Sequence, residues 1–275
     1  MPSNNTVGSI ALLQRYPVKS MMGEELRLAD MTKSGVLGDR AYALVDTETG
    51  KVVSAKNPKK WPTMFSCLAS YIDSPQTGSN LPPVRITLPD GTIVNSNQAD
   101  VNSIISNTLG RSVRLESQVP KTPNLEEYWP DIEELDNRDV VTDEKMPVGT
   151  FFDLAIIHLL TTSTIDGLRS LYPQGRFEVR RFRPNIVVST NPDQPAFAEN
   201  QWIGKTIAIG NNVLLKVTEP CPRCVMTTLA QGDLPKDTDI LRTAVQKNNG
   251  HVGIYANVLQ SGAIRSGDEV KVVEG

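Results

Sequence analysis

Thr206-Ile207-Ala208-Ile209-Gly210-Asn211-Asn212-Val213-Leu214-Leu215-Lys216-Val217 is the segment that sets the fold class. Ile207 and Ile209 lie on one side of its first run, and Val213, Leu215 and Val217 on one side of its second. A period of two belongs to strands with one buried face, and Gly210-Asn211-Asn212 between the runs is a hairpin turn. The same pattern extends outward. Val7–Leu13, Arg40–Asp46, Lys51–Ser54, Pro83–Leu88, Thr92–Asn95 and Asn185–Ser189 are strand-like, and Pro89-Asp90-Gly91 joins two of them through a turn in which Gly91 supplies a positive φ. Helices are fewer. Val101, Ile104, Ile105 and Leu109 recur at helical spacing, with Asp100 as N-cap and Gly110 as stop. Ser163-Thr164-Ile165-Asp166 has the form of a capping box and opens a helix whose inward face is Ile165, Leu168 and Leu171; Asp237–Lys247 is a third helix. Many short strands with interspersed helices predict a mixed α/β, β-rich chain of barrel-like architecture carrying helical insertions.

The 275 residues include 28 Lys plus Arg against 31 Asp plus Glu, for a net charge of −3. That balance excludes binding of a nucleic-acid backbone by a broadly basic surface. Three Cys cannot build a secreted disulfide framework, and two His cannot furnish several His-rich metal sites. The N-terminal MPSNNTVGSI lacks the basic start and apolar core of a signal peptide. The most apolar stretch, Phe151–Leu160, contains Asp153 and His158 and falls short of the roughly 20 apolar residues of a membrane span, so it is expected as a buried strand. A soluble, reducing, cytoplasmic setting without a membrane span follows as the expectation.

One composition shift divides the chain. Asn124–Asp143 is acidic (Glu126, Glu127, Asp131, Glu133, Glu134, Asp136) and carries Trp129-Pro130. It reads as a solvated connector between an N-terminal part near residues 7–118 and a C-terminal part beyond 144. The competing reading is an acidic docking surface for a redox partner.

Among the motifs, Cys221-Pro222-Arg223-Cys224 is the sharpest. Structural zinc would need two further ligands, and His158 and His251 lie far apart in sequence. Dithiol redox chemistry would need the first Cys at a helix N-terminus, whereas Val225-Met226-Thr227-Thr228 is a poor helix start. Two buried small hydrophobes are the bland alternative, weakened by Arg223, because a guanidinium beside a thiol favours the thiolate that ligates soft metals. Arg180-Arg181-Phe182-Arg183-Pro184-Asn185 places three guanidinium forks before a strand, suited to phosphate or carboxylate or else to solvent. Asn185 inside an apolar run calls for a specific hydrogen-bond partner. Tyr16-Pro17-Val18-Lys19-Ser20 and Gly35-Val36-Leu37-Gly38-Asp39-Arg40 form turns that offer Lys19, Ser20 and Arg40 as donors, with Asp39–Arg40 also open to a plain ion pair. His158 and Cys67 read as core residues, and His251 between glycines as accessible.

In this order these segments resemble a MOSC-domain protein with its N-terminal MOSC β-barrel domain, of the kind found in the mitochondrial amidoxime-reducing component and its bacterial relatives. The carrying motifs are Tyr16–Ser20, Gly38-Asp39-Arg40, Phe182-Arg183-Pro184-Asn185-Ile186, Cys221–Cys224 and the closing Tyr255–Val258 with Gly262–Val270. The resemblance implies a MOSC-type β-barrel with helical insertions plus an N-terminal β-barrel-like part, divided as an N-terminal domain over 1–118 and a cofactor-binding domain over 119–275. It implies the molybdenum cofactor, with Cys224 as metal ligand and catalytic residue, Pro222 and Arg223 lining the same loop, and Lys19, Ser20, Arg40, Arg183 and Asn185 holding the pterin and its phosphate. The family's Thr-Ser pair is replaced by Leu154 and Ala155. The implied activity is reduction of small N-hydroxylated substrates with electrons from a separate reductase of flavin, cytochrome or ferredoxin type. Three Cys leave none for an iron–sulfur cluster, so a stand-alone catalytic unit is expected. The alternative is a molybdenum-cofactor carrier or sulfur-transfer module without its own turnover.

Overall fold

In the computed structural model, which describes residues 5–273, inward-facing aliphatics at every second position define a closed barrel of seven strands. These are β1 (Asn5–Arg15), β2 (Ile157–Thr161), β3 (Ile186–Ser189), β4 (Thr206–Ile209), β5 (Val213–Pro222), β6 (His251–Gln260) and β7 (Glu269–Val273). Around the barrel the order is β1-β7-β4-β5-β6-β2-β3, and β3 pairs with β1 to close it. Every stave contributes to one core: Ile10, Ile157, Ile186, Ile207, Leu215, Ile254 and Val270 are all essentially inaccessible. The opening hairpin registers Ile207 against Leu215 and Ile209 against Val213, as its alternation requires. A strand from the start of the chain is thus a stave of a barrel otherwise built from residues 157–273.

Only β2 and β3 run parallel, and a parallel pair needs a crossover. Helices α2 (Thr162–Leu171) and α3 (Val179–Phe182) supply it, and α4 (Asp239–Asn248) packs beside them around Leu160, Phe177 and Phe182. Helix α2 begins earlier than its sequence signature. Thr161 caps it by accepting from Thr164 N at 3.3 Å, and Asp166 pairs with Arg169 instead of closing a box. Leu171, expected inward, is 44% exposed because the helix ends there and its burial stops at Leu168.

Residues 37–118, with Val18 and Met21, surround a second core, whereas Ala29, Met31 and Val36 pack into the barrel core. Three strands, Leu68–Tyr71, Val84–Thr87 and Ile93–Asn95, form one sheet, and Ala43–Asp46 pairs with Val113–Glu116. Isolated bridges at Val18–Tyr42 and Met22–Leu68 link these pieces, and α1 (Val101–Leu109) covers them through Val101 and Ile105. Gly110 stops α1 as expected, but the Asp100 side chain makes no capping bond. The turn at 89–91 also forms, with Gly91 at φ +86°. Lys51–Ser54 is not a strand, because its amides divide between two neighbours: Val53 N donates to Leu44 O and Val52 N to Asn124 O, both at 2.9 Å. Phe151–Leu160 is a strand only from Ile157; before that its backbone turns to face Lys19.

The acidic segment is not a solvated connector. Asn124–Trp129 and Val140–Lys145 pair as a hairpin, with Leu125 and Glu127 buried. Its carboxylates meet a lysine cluster the sequence places far away: Lys51 with Glu126 and Asp143, Lys56 with Glu127, Lys59 with Asp139, and Lys60 with Glu126. That neutralisation lets an acidic run fold against the N-terminal core. No helix among the described residues is long and apolar enough to cross a membrane.

Candidate active site

A cavity of about 750 Å3 opens between the barrel, the second core and the acidic hairpin. Lys19, Ser20, Arg40, Arg183, Asn185, Pro222, Arg223 and Cys224, drawn from four distant segments, all line it. The topology explains the convergence. The turn after β1 brings Lys19 and Ser20, the loop before β3 brings Arg183 and Asn185, and the end of β5 brings Arg223 and Cys224. Met226, on the 3₁₀ turn Val225–Thr228 that follows Cys224, inserts into the second core and pins this loop between the two cores.

The backbone here is held in unusual conformations. Non-glycine residues rarely adopt positive φ, which costs on the order of 1 kcal/mol or more and clusters at functional sites. Six described non-glycine residues do so, and four of them line the cavity: Ser20 (+64°), Arg40 (+47°), Arg183 (+54°) and Asn249 (+51°). Gly253 permits a further close approach, because a Cβ there would lie 2.3 Å from His158 Nε2 and 2.6 Å from Leu159 O.

Asp39 is the organising carboxylate. Its side chain is fully buried, accepts from Tyr16 N at 2.7 Å and from Asn185 Nδ2 at 2.8 Å, and pairs with Arg40. The Asp39–Arg40 pair, open from sequence to being a marginal surface contact, is therefore a buried junction. Asn185 is fully engaged: Nδ2 also donates to Gln14 O at 3.3 Å, and Oδ1 accepts from His158 N at 3.2 Å. Its amide fixes the start of β3 and the Asp39 carboxylate.

The cavity is lined by both signs of charge: Lys19, Arg40, Lys56, Lys145, Arg183 and Arg223 with Glu127, Glu134, Asp136, Glu144 and Asp153. Lys19 Nζ donates to Phe151 O at 2.8 Å and pairs with Asp153. Burial lowers the pKa of Lys19, and Asp153 only partly opposes it, because Lys56 and Arg40 add repulsion. Burial would raise Asp153, but Lys19 and Lys56 together hold its carboxyl below the usual range. Lys56 is also buried against its charge, yet Asp153, Cys224 and Glu127 raise its pKa. Arg183 is pushed down to about 10 by burial. Its Nη1 and the Nε of Arg223 are buried without a hydrogen-bond partner. Buried donors without partners are rare in folded proteins and mark places where a ligand can complete the bonding.

The two nearby cysteines differ. Cys221 is fully buried, and Arg223 donates to its sulfur at 2.7 Å. The guanidinium that from sequence would activate the pair therefore contacts Cys221. Cys224 lines the cavity, where burial pushes its thiol up to about 11 against the pull of Lys56 and Arg223. Among the described residues no group of three or more His, Cys, Asp or Glu is gathered as a metal site. Cys67 is a core thiol, as expected.

Sequence reasoning missed Lys56, although the basic run Lys56–Lys60 opposite an acidic run was a usable signal. It also missed the hairpin wall of Glu127, Trp129 and Leu135. His158 is a buried histidine as expected, with Nε2 3.1 Å from Val252 O, yet it also borders the cavity.

The MOSC domain family matches residues 149–271, and the MOSC N-terminal beta barrel domain family matches residues 7–76. A mitochondrial amidoxime-reducing component 1 of Xenopus laevis is 29% identical over 96% of this chain and 82% of its own length. Mitochondrial amidoxime reducing component 2 of Macaca fascicularis and that of Homo sapiens are each 28% identical, covering 96% of this chain and 83% of their own.

Proposed function

We propose that this chain, a MOSC-domain protein with a MOSC N-terminal beta barrel domain, is a molybdenum-cofactor-dependent oxidoreductase that reduces N-hydroxylated compounds with electrons from a separate reductase. One observation carries the reading. A single cavity joins a thiol, Cys224, to two guanidinium groups whose donors, Arg183 Nη1 and Arg223 Nε, are buried without partners. A pterin dithiolene bearing a phosphate fits that donor set: a soft metal takes a thiolate, and a dianion takes converging N–H donors. The names of the relatives agree with this choice of reaction.

In this reading Cys224 is the protein's metal ligand, and Lys19, Ser20, Arg40 and Arg183 hold the pterin and its phosphate. Asn185 keeps Asp39 and the start of β3 in place, and Pro222 and Arg223 shape the loop that presents Cys224. When bound, the cofactor supplies a centre for two-electron reduction. The overall reaction consumes two electrons and two protons, turning the N–OH compound into the N–H compound and water. The chain's own part is to anchor, orient and enclose. Trp129, Leu135 and Leu154 give the cavity apolar surface for the substrate's carbon skeleton. Three free thiols fit a reducing, cytoplasmic compartment.

The test is metal analysis of protein made in a host competent for the molybdenum cofactor, followed by benzamidoxime reduction with a chemical electron donor. About one molybdenum per chain together with turnover supports the reading. Cofactor-loaded protein inert toward N-hydroxylated compounds would leave a carrier or sulfur-transfer module, and protein free of molybdenum would sink both.

A further inference from the structure

Arg183 is a buried cation without a carboxylate partner. It is 6% exposed, makes no ion pair among the described residues, and leaves Nη1 without an acceptor. What lies beside it is aromatic: its Cζ is 4.1 Å from the ring centroid of Tyr16 and 5.4 Å from that of Phe65. Arg40 shares the Tyr16 ring at 4.5 Å. The contrast with Arg15 is informative, since that guanidinium also rests on a ring, Tyr71, but its N–H groups bind Glu24.

A carboxylate beside a buried arginine neutralises it and occupies its N–H donors. An aromatic face stabilises the charge through its quadrupole and leaves the in-plane donors free. We propose that Tyr16 and Phe65 are positioning residues that hold Arg183 buried and charged with its N–H groups available to an anion, and that Tyr16 does so while spacing Arg183 from Arg40. The identity of that anion as the cofactor's phosphate rests on the function proposed above; the ring support does not.

Surrounding detail agrees. Tyr16 is 2% exposed and Phe65 5%, so neither ring is free to turn away. The Tyr16 hydroxyl donates to the Gln14 side chain, with Pro184 O 3.3 Å away, which fixes the ring plane next to Arg183. Burial pushes the Tyr16 phenol up to about 12, so the ring stays neutral across the working pH range. Tyr16 itself does not line the cavity, and its effect runs through Arg183.

The experiment measures inorganic phosphate binding to the cofactor-free full chain by titration calorimetry, and molybdenum retained by loaded protein after gel filtration. The variants are Tyr16→Phe, Tyr16→Leu, Phe65→Leu and Arg183→Lys, with circular dichroism and melting as fold controls. Tyr16→Phe keeps the ring and should bind phosphate within about twofold of the native chain. Tyr16→Leu should weaken binding by roughly tenfold or more, and Phe65→Leu, with its longer contact, by about threefold. Arg183→Lys should fall with Tyr16→Leu, because an ammonium has no planar fork to lay on a ring. If Tyr16→Leu does not fold, Phe65→Leu decides alone. Folded leucine variants that bind like the native chain would overturn the proposal, as would a Tyr16→Phe as weak as Tyr16→Leu, which would assign the effect to the hydroxyl. Phosphate binding that follows this pattern in protein that never acquires molybdenum keeps the ring support and removes the cofactor reading.

Discussion

The barrel interior and the cavity beside it use opposite means to reach a fixed geometry. In the barrel, Ile207, Leu215, Ile254 and their neighbours are held by burial and by strand pairing, and the irregularities are bulges in β1 and β5. At the cavity, Ser20, Arg40 and Arg183 adopt positive φ, Asp39 and Asn185 are saturated with bonds, and Arg183 Nη1 has no partner. The first region is stable because its packed apolar side chains are removed from water. The second is strained, and its strain is held by the first. Disturbing the barrel should therefore lower stability without selecting among functions, and disturbing the cavity should do the reverse.

The largest separation is expected at the cysteines. Cys224→Ala removes the proposed metal ligand and should reduce molybdenum retention and N–OH reduction by more than about a hundredfold, with melting little changed. Cys221→Ala, buried beside Arg223, should keep its metal and lose about 1–2 kcal/mol of stability. Metal content and denaturant titration of both variants check this, and equal loss of function in both would favour a dithiol mechanism. Next is Leu215→Ala, in the middle of the barrel core, which should cost about 2–5 kcal/mol in chemical denaturation while the folded fraction keeps its metal content.

How far each region could be seen from sequence follows the same division. The hairpin of β4 and β5 was legible because its residues alternate and its partner is adjacent in the chain. The closure of β1 onto β3 was not, since nothing in Asn5–Arg15 states which edge it joins. Cys224, Lys19, Arg40 and Arg183 were singled out through motifs and a family resemblance, and all four line one cavity. Lys56 was hidden because its significance comes from Glu127 and Asp153, far away in sequence. The acidic segment misled for a related reason. Charge density predicts solvation only when counter-charges are absent, and Lys51, Lys56, Lys59 and Lys60 supply them.

His158 lies on the border between the two regions and should give a smaller effect that depends on pH. Burial, with Arg223 nearby, holds its pKa well below 6.5, so the native state keeps it neutral. The unfolded chain takes up that proton first as pH falls. Stability from this group is complete above about pH 6.5 and declines below it, by up to about 1.4 kcal/mol per pH unit. His158→Gln should flatten the melting profile between pH 7 and 5. An unchanged slope in that window would place the acid sensitivity elsewhere.

The smallest effects are expected on the hairpin, where they decide whether its charge serves folding or docking. Glu126 is bonded to Lys51, Lys60 and Asn57, so Glu126→Lys should destabilise the hairpin by about 1 kcal/mol or more through repulsion and lost bonds. Glu133 is exposed and makes no ion pair among the described residues, so Glu133→Lys should change stability by less than about 0.5 kcal/mol. The pair therefore separates two uses of one acidic segment. If the hairpin is a wall of the cavity, Glu133→Lys leaves turnover the same with a chemical donor and with a reductase. If it also docks the reductase, the same substitution slows only the reaction with the protein donor, and added salt should slow the native reaction in the same way because exposed charges are screened within about 10 Å at 0.1 M.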